Sequence, residues 1–290
     1  MLTISSGFVI QSVQIHKTKE AYGLNIFSSP SPLRKEWHSL IKQEQAFLAK
    51  KAEKQQTALN RLLEDKVPPT LQRKLSSAFC SAFDTVFNKG TPLIEKTYNK
   101  EKAQENAFIN HVLAAKANPS RRVLKRVSKS ATKAANTNLA ASTVTGVGLG
   151  ALGIGLPDIV LFVSYVIRNM CQLSTSYNFD SNNENERRFM LMVIRGALTC
   201  GDQQKEVNSE IDYYIANGNF RKYVPLMHEI KLCAECMSGE LLYMKFLQGI
   251  PIVGAVGGAY DYVYMKQINQ YARIKYYKRF LREKIYTHHR

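Results

Sequence analysis

The sequence predicts an all-α fold, a helical bundle with two glycine-rich helical hairpins arranged as a pseudo-repeat. Three observations carry that expectation. Apolar residues recur at helical spacing through most of the chain, and no region reads as strand-rich. Two uncharged, glycine-rich segments, 139–157 and 246–260, each adjoin a strongly basic helical stretch.

Taken in order, residues 1–32 alternate only weakly, as at Phe8, Ile10 and Ser12, and end in Pro30 and Pro32. They read as a tail with at most a short strand. Residues 33–94 read as N-terminal amphipathic helices. Trp37, Leu40, Ile41, Phe47, Leu48, Ala52, Leu59, Leu62 and Leu63 share one helical face, which breaks at Pro68-Pro69. Leu71, Leu75, Phe79, Phe83 and Phe87 then repeat every four residues, so a second helix ends near Gly90.

Residues 95–290 form the remaining helical domain. A helix over Leu93–Ala117 turns at Asn118-Pro119-Ser120, and a basic helix follows with Val123, Leu124 and Val127 on its apolar side. It runs into the first apolar segment, where glycines stand at 146, 148, 150, 153 and 155. Glycine lets backbones approach closely but weakens a straight helix by roughly 1 kcal/mol per residue. Pro157 suits the first position of the next helix. The uncharged run is interrupted by Asp158 and resumes to Arg168. It is long enough to span a bilayer, about twenty residues. Its glycines, proline and aspartate argue instead for a hairpin of two short helices, buried in protein or dipping into one leaflet.

Past a polar loop at 180–185, shorter helices fall over Phe189–Cys200 and Ile211–Ile215, separated by Gly201 and Gly218. Leu226–Leu247 reads as one more amphipathic helix. Gly249 to Ala259 repeats the glycine-rich arrangement, and Gly249-Ile-Pro251 echoes Gly155-Leu-Pro157. A last helix carries Tyr264, Ile268, Tyr271, Ile274, Tyr277, Phe280 and Leu281 on one side, with most of its charges expected on the other.

Charge is unevenly placed. Lys and Arg number 40 against 23 acids, a net of +17. Residues 106–157 contain no acid and seven cations, and residues 262–290 hold eight cations against Glu283 alone. An excess of this sign attracts a polyanion, and near an anionic leaflet each Lys or Arg adds about 1 kcal/mol. Residues 1–17 show no basic region followed by an apolar block, so no secretory signal is expected. Five cysteines in apolar helical patterns suit a reducing cytoplasm.

Leu156-Pro157-Asp158 opens an apolar helix that carries Arg168 and ends in Tyr177-Asn178-Phe179-Asp180. Ile250-Pro251-Ile-Val-Gly254-Ala-Val-Gly-Gly258-Ala259, Tyr277-Lys-Arg-Phe-Leu281 and Glu283-Lys284 follow in order. This combination resembles the EcsC protein family over roughly residues 95–287, with the long N-terminal helix outside the likeness. One departure is Asp261, where the family often has Asn one step earlier. The resemblance implies a bacterial, membrane-associated helical protein and carries over no catalytic residue.

Candidate sites are few. The membrane or lipid contacts expected are Arg121, Arg122, Lys125, Arg126, Lys129, Gly150, Gly155, Pro157, Pro251, Gly254, Gly258, Lys278 and Arg279. Asp158, Arg168 and Asp180 are candidates for a polar groove, against a plainer reading as helix capping and an internal ion pair. Cys233 and Cys236, with His228 nearby, have the spacing of half a zinc site, but no second pair completes four ligands. Core packing is preferred, and no metal or cofactor is expected. Gly146-Val-Gly148-Leu-Gly150 lacks the Gly-Lys-Ser/Thr of a phosphate loop. No hydrolase or metalloprotease signature is present.

The leading expectation is a cytoplasmic accessory or effector protein, peripheral to the inner face of the membrane and doing no covalent chemistry. Its partners would be anionic lipids and, secondarily, a membrane protein. A membrane-permeabilising toxin or defence effector is the first alternative, and a soluble enzyme with a groove near Asp158 and Arg168 the second. Interleaved tyrosines and cations also describe single-strand nucleic-acid binders, a reading that ranks last.

Overall fold

The computed structural model describes residues 31–52, 69–90, 94, 100–115, 119–132, 156–247 and 257–287. The chain divides into two units, residues 1–31 and 32–290, and the described helices belong to the second. Among the described residues every regular element is helical, as the apolar periodicity predicts. The helices are α1 (Pro32–Ala52), α2 (Pro69–Thr85), α3 (Lys100–Ala114), α4 (121–132), α5 (Leu156–Ser176), α6 (Glu184–Leu198), α7 (Gly201–Asn217), α8 (Leu226–Leu247) and α9 (Gly257–Thr287). The N-terminal tail, residues 53–68, and most of both glycine-rich segments lie outside the described residues, and with them the expected hairpins.

Local chemistry accounts for the helix ends. The four-residue phenylalanine repeat of α2 buries Phe79 and Phe83, and the chain closes with a π-helical turn at Val86–Gly90. Pro157 sits in the first turn of α5, where its missing N–H costs nothing. Helix α5 stops in a Schellman motif. Asn178 takes a left-handed φ of 65°, Phe179 N–H donates to Ser174 C=O at 3.0 Å, and Asn178 N–H donates to Thr175 C=O at 3.0 Å. The Asn183 side chain then caps α6 by accepting from Asn185 N–H at 2.9 Å and Glu186 N–H at 3.4 Å. Gly218 ends α7 with φ 74°.

Helix α9 is the centre of the assembly. It packs against α1, α5, α6 and α7. Met265, Tyr271, Ala272, Tyr276 and Leu281 are all 0 % exposed, so burial runs round the helix rather than along one stripe. This overturns the expected two-sided helix. Helix α6 crosses α9 at Gly196, where a Cβ would come within 2.9 Å of the Tyr271 ring. A second layer, α2 and α8, packs on α5 and α6.

Candidate functional site

The buried surface of α9 carries cations, and each of the central ones meets an acid from another helix. Lys275 donates to Glu44 of α1 and, at 2.6 Å, to Asp212 of α7. Lys278 lies 2.7 Å from Glu44 and 2.9 Å from Asp212. Two ammonium groups and two carboxylates thus form a closed quartet joining first, seventh and last helices. Burial pushes the Asp212 carboxyl up, but Lys275 and Lys278 outweigh it and hold it below the usual carboxylate range. Burial likewise pulls Lys275 down, and Asp212 and Glu44 more than restore it.

One turn further on, Arg279 donates to Glu186 of α6 at 2.6 Å. Glu186 also accepts from Tyr276 Oη at 2.6 Å and from Ser174 Oγ at 2.9 Å, so its two oxygens are satisfied by three donors. The Arg279 guanidinium lies 3.6 Å above the Phe179 ring. The expectation that Lys278 and Arg279 face a membrane is therefore corrected. Lys278 is 2 % exposed, and both cations are spent on internal acids. Their sequence spacing suggested an outer face because the acids that neutralise them stand on distant segments.

The basic residues of α4 are arranged in the opposite way. Leu124, Val127 and Ala131 face the core at 0 %, 1 % and 0 % exposure. Arg121, Arg122, Lys125, Arg126 and Lys129 project on the other side, all exposed, and border an open hollow of about 700 Å³. Positions one, two, five, six and nine of the helix fall on one face at 3.6 residues per turn. Arg121 is tied to Glu36 of α1, whose other oxygen accepts from Tyr277 Oη at 3.3 Å, so the helix is anchored to the bundle by its first residue. Among the described residues no carboxylate forms a salt bridge with Arg122, Lys125, Arg126 or Lys129.

The polar-groove candidates do not converge. Asp158 is in the first turn of α5 and Arg168 ten residues on, an advance of about 15 Å along the axis, and Asp180 lies beyond the helix end. Asp180 is a turn residue whose Oδ1 accepts from Asn182 N–H at 3.0 Å. Gly150, Gly155, Pro251 and Gly254 lie outside the described residues, while Gly258 is in the first turn of α9. Cys233 is buried and Cys236 half-buried on α8, and neither forms a disulfide. Burial pushes the Cys233 thiol well up, away from a reactive thiolate. Among the described residues no group of His, Cys, Asp and Glu could hold a metal ion. No helix there is long and apolar enough to cross a membrane.

Helix α3 contributes a feature that periodicity did not reveal. Its inward positions are Ala107, Asn110 and Ala114, while Phe108, Ile109 and Val112 point outward at 65 %, 43 % and 50 % exposure. His111, between them, holds the helix to α9. Its Nδ1 accepts from Lys284 Nζ at 2.9 Å, and its ring meets Phe280 edge-on with centroids 5.6 Å apart. Burial, then the charge of Lys284, pulls the His111 pKa below its ordinary value.

Together these define an all-α protein with buried ion pairs in its core and a basic helix, α4, whose cations face outward. The chain belongs to the EcsC protein family, whose sequence pattern matches residues 34–281. The match starts within α1, so the N-terminal helix is part of the family region and not outside it, consistent with Glu36 and Glu44 supplying core acids. The chain is 27% identical over 156 residues to a protein named Protein EcsC from Bacillus subtilis (strain 168). That alignment covers 50% of this chain and 59% of the relative. No solved structure matches.

Proposed function

We propose that this chain is a peripheral membrane protein that docks on an anionic lipid surface, on the cytoplasmic side, through the outward face of α4. It acts there as an accessory or effector and performs no covalent chemistry. The observation that supports the reading is the contrast between the two basic stretches. The central cations of α9, Lys275, Lys278 and Arg279, are held by internal acids, yet α4 keeps Arg122, Lys125, Arg126 and Lys129 exposed on one side. A run of like charge on one face repels itself and is relieved by a polyanion. The absence of any acid over 106–157 leaves the field near α4 uncompensated along the sequence. The glycine-rich residues 139–155, outside the described residues, are apolar enough in composition to add to the same contact.

Sedimentation with vesicles tests this. The protein pellets with mixed phosphatidylglycerol and phosphatidylcholine vesicles and not with phosphatidylcholine alone, and raised salt releases it. Changing Arg122, Lys125, Arg126 and Lys129 together to Gln removes about 1 kcal/mol each of attraction. Equal pelleting of the variant and the parent on anionic vesicles would sink the assignment to α4. Release of a trapped dye on binding would turn the reading toward permeabilisation.

A further inference from the structure

We infer that Phe108, Ile109 and Val112 of α3 are a membrane-insertion point that enters the acyl boundary of the same anionic leaflet. The inference rests on the reading of α4 and adds to it a residue-level depth contact.

The first ground is an inverted helix. A helix on the surface of a bundle ordinarily turns its large apolar side chains inward. Helix α3 does the reverse, packing on α5 through Ala107, Asn110 and Ala114 and showing water Phe108, Ile109 and Val112. Three neighbouring large apolar side chains on one exposed turn mark an interaction surface.

The second ground is what surrounds them. The outward residues in the first half of α3 are Glu101, Lys102, Gln104, Glu105 and Asn106, and after Glu105 the next acid is Asp158. Along the sequence the apolar triad begins where acids end, with exposed Glu105 one turn before Ile109 and Glu283 of α9 4.0 Å from His111. Helix α4 starts only a few residues beyond α3, and both are fastened to adjacent turns of α9. His111 reaches Lys284 and Phe280, while Arg121 reaches Tyr277 through Glu36. The rings of Tyr277 and Phe280 are 6.3 Å apart. An exposed apolar cluster followed in sequence by an exposed cationic face has the chemistry of an interfacial membrane contact. A second copy of this chain fits less well, because pairing two such faces would bring two cationic helices together.

The packing also permits insertion without unfolding. Ala107 and Ala114 take the buried side of α3, so the exposed parts of Phe108, Ile109 and Val112 are available to lipid.

The test uses the full chain carrying Phe108→Trp, with the parent, whose Trp37 is 5 % exposed, giving the background fluorescence. Vesicles of phosphatidylglycerol and phosphatidylcholine are prepared with and without bromine on the acyl chains. The expected result is a blue shift of the introduced indole on binding and its quenching by the brominated chains. In parallel, the triple change Phe108→Gln, Ile109→Gln and Val112→Gln lowers vesicle affinity about tenfold or more while leaving thermal stability unchanged. If the protein pellets with the vesicles but the indole is unquenched, the insertion point is wrong and the α4 reading stands. If the parent does not pellet at all, both fall. A blue shift that grows with protein concentration before lipid is added assigns the triad to a second copy and overturns the inference.

Discussion

Lys278 on the last helix donates from Nζ to Glu44 Oε2 on the first at 2.7 Å, across 234 residues of sequence. Glu44 is also the acceptor for Lys275, and Asp212 receives both lysines. Such a quartet is tolerated inside a bundle because every charge is compensated. Its energetic character is asymmetric, since removing one member strands the others in a low-dielectric interior.

Glu44→Ala is accordingly expected to destabilise the fold by about 3–5 kcal/mol, the usual penalty for leaving a buried charge unpaired. Urea denaturation followed by circular dichroism reads this directly. Simultaneous replacement of Glu44, Asp212, Lys275 and Lys278 by apolar residues of similar volume should recover most of the loss. A Glu44→Ala protein as stable as the parent would mean that the quartet is hydrated rather than buried.

Acid should weaken the same quartet. The Asp212 carboxyl is held below its ordinary value, so its contribution is fully present above the unfolded value near about pH 4 and is lost as pH falls through the folded one. Lys275 is held above its ordinary value, so its contribution is present below about pH 10 and lost only as pH rises beyond that. Stability from the quartet is thus flat across neutral pH. The midpoint of urea unfolding, measured from pH 7 down to pH 3, is expected to fall more steeply in the parent than in Asp212→Asn.

His111 supplies a separate and milder pH dependence. Burial and Lys284 depress its pKa, so the neutral ring is the form that accepts from Lys284 in the folded state. Its contribution is present above the unfolded value near about 6.5 and fades as pH falls through the folded value. Proton NMR of the imidazole should give a midpoint under that of free histidine, and His111→Gln should remove the corresponding slope from the stability profile. The hydrogen bond from Lys284 is the contact that is lost, while Glu283 of α9 stands 4.0 Å from His111 Nε2.

At Gly196 a side chain has nowhere to go. A methyl group there would meet Tyr271 Cε1 at 2.9 Å and Ile211 Cδ1 at 3.2 Å. The Tyr271 ring cannot yield freely, since it stacks on Phe47 at 5.0 Å and its Oη donates to Asn208 Oδ1 at 2.8 Å. Alanine in a helix gains up to about 1 kcal/mol over glycine, and overpacking costs about 1–3 kcal/mol. The clash wins, so Gly196→Ala lowers the melting temperature, measurable by calorimetry.

Much of the helical layout was legible from spacing. Leu226–Leu247 was bounded at both ends by its apolar pattern, and the phenylalanine repeat placed α2 up to the turn at Gly90. The family-like run Tyr177 to Asp180 was visible as a motif, but its meaning was not. It is a left-handed helix stop whose Phe179 supports Arg279, which makes it architectural. The α4 face was readable because all of its information is local. Leu124 and Val127 alternate with the cations within three turns.

The α9 cations were misread for the converse reason. Helical period says which residues share a face, and that much is decided by the chain's own 3.6-residue geometry. Whether a face meets water or a carboxylate is decided by segments far away in sequence, here Glu44 and Asp212, which no local pattern connects to Lys275 and Lys278. The same limit hid the α3 triad, since Ala107 and Ala114 win the inward side only because α5 comes close enough to need small residues. Local spacing therefore determined the helices, the glycine-rich segments and the sign of the charge. Tertiary packing alone decided which of the two basic stretches is interior and which is left facing outward, because burying an ion requires a partner that only the fold can bring to it.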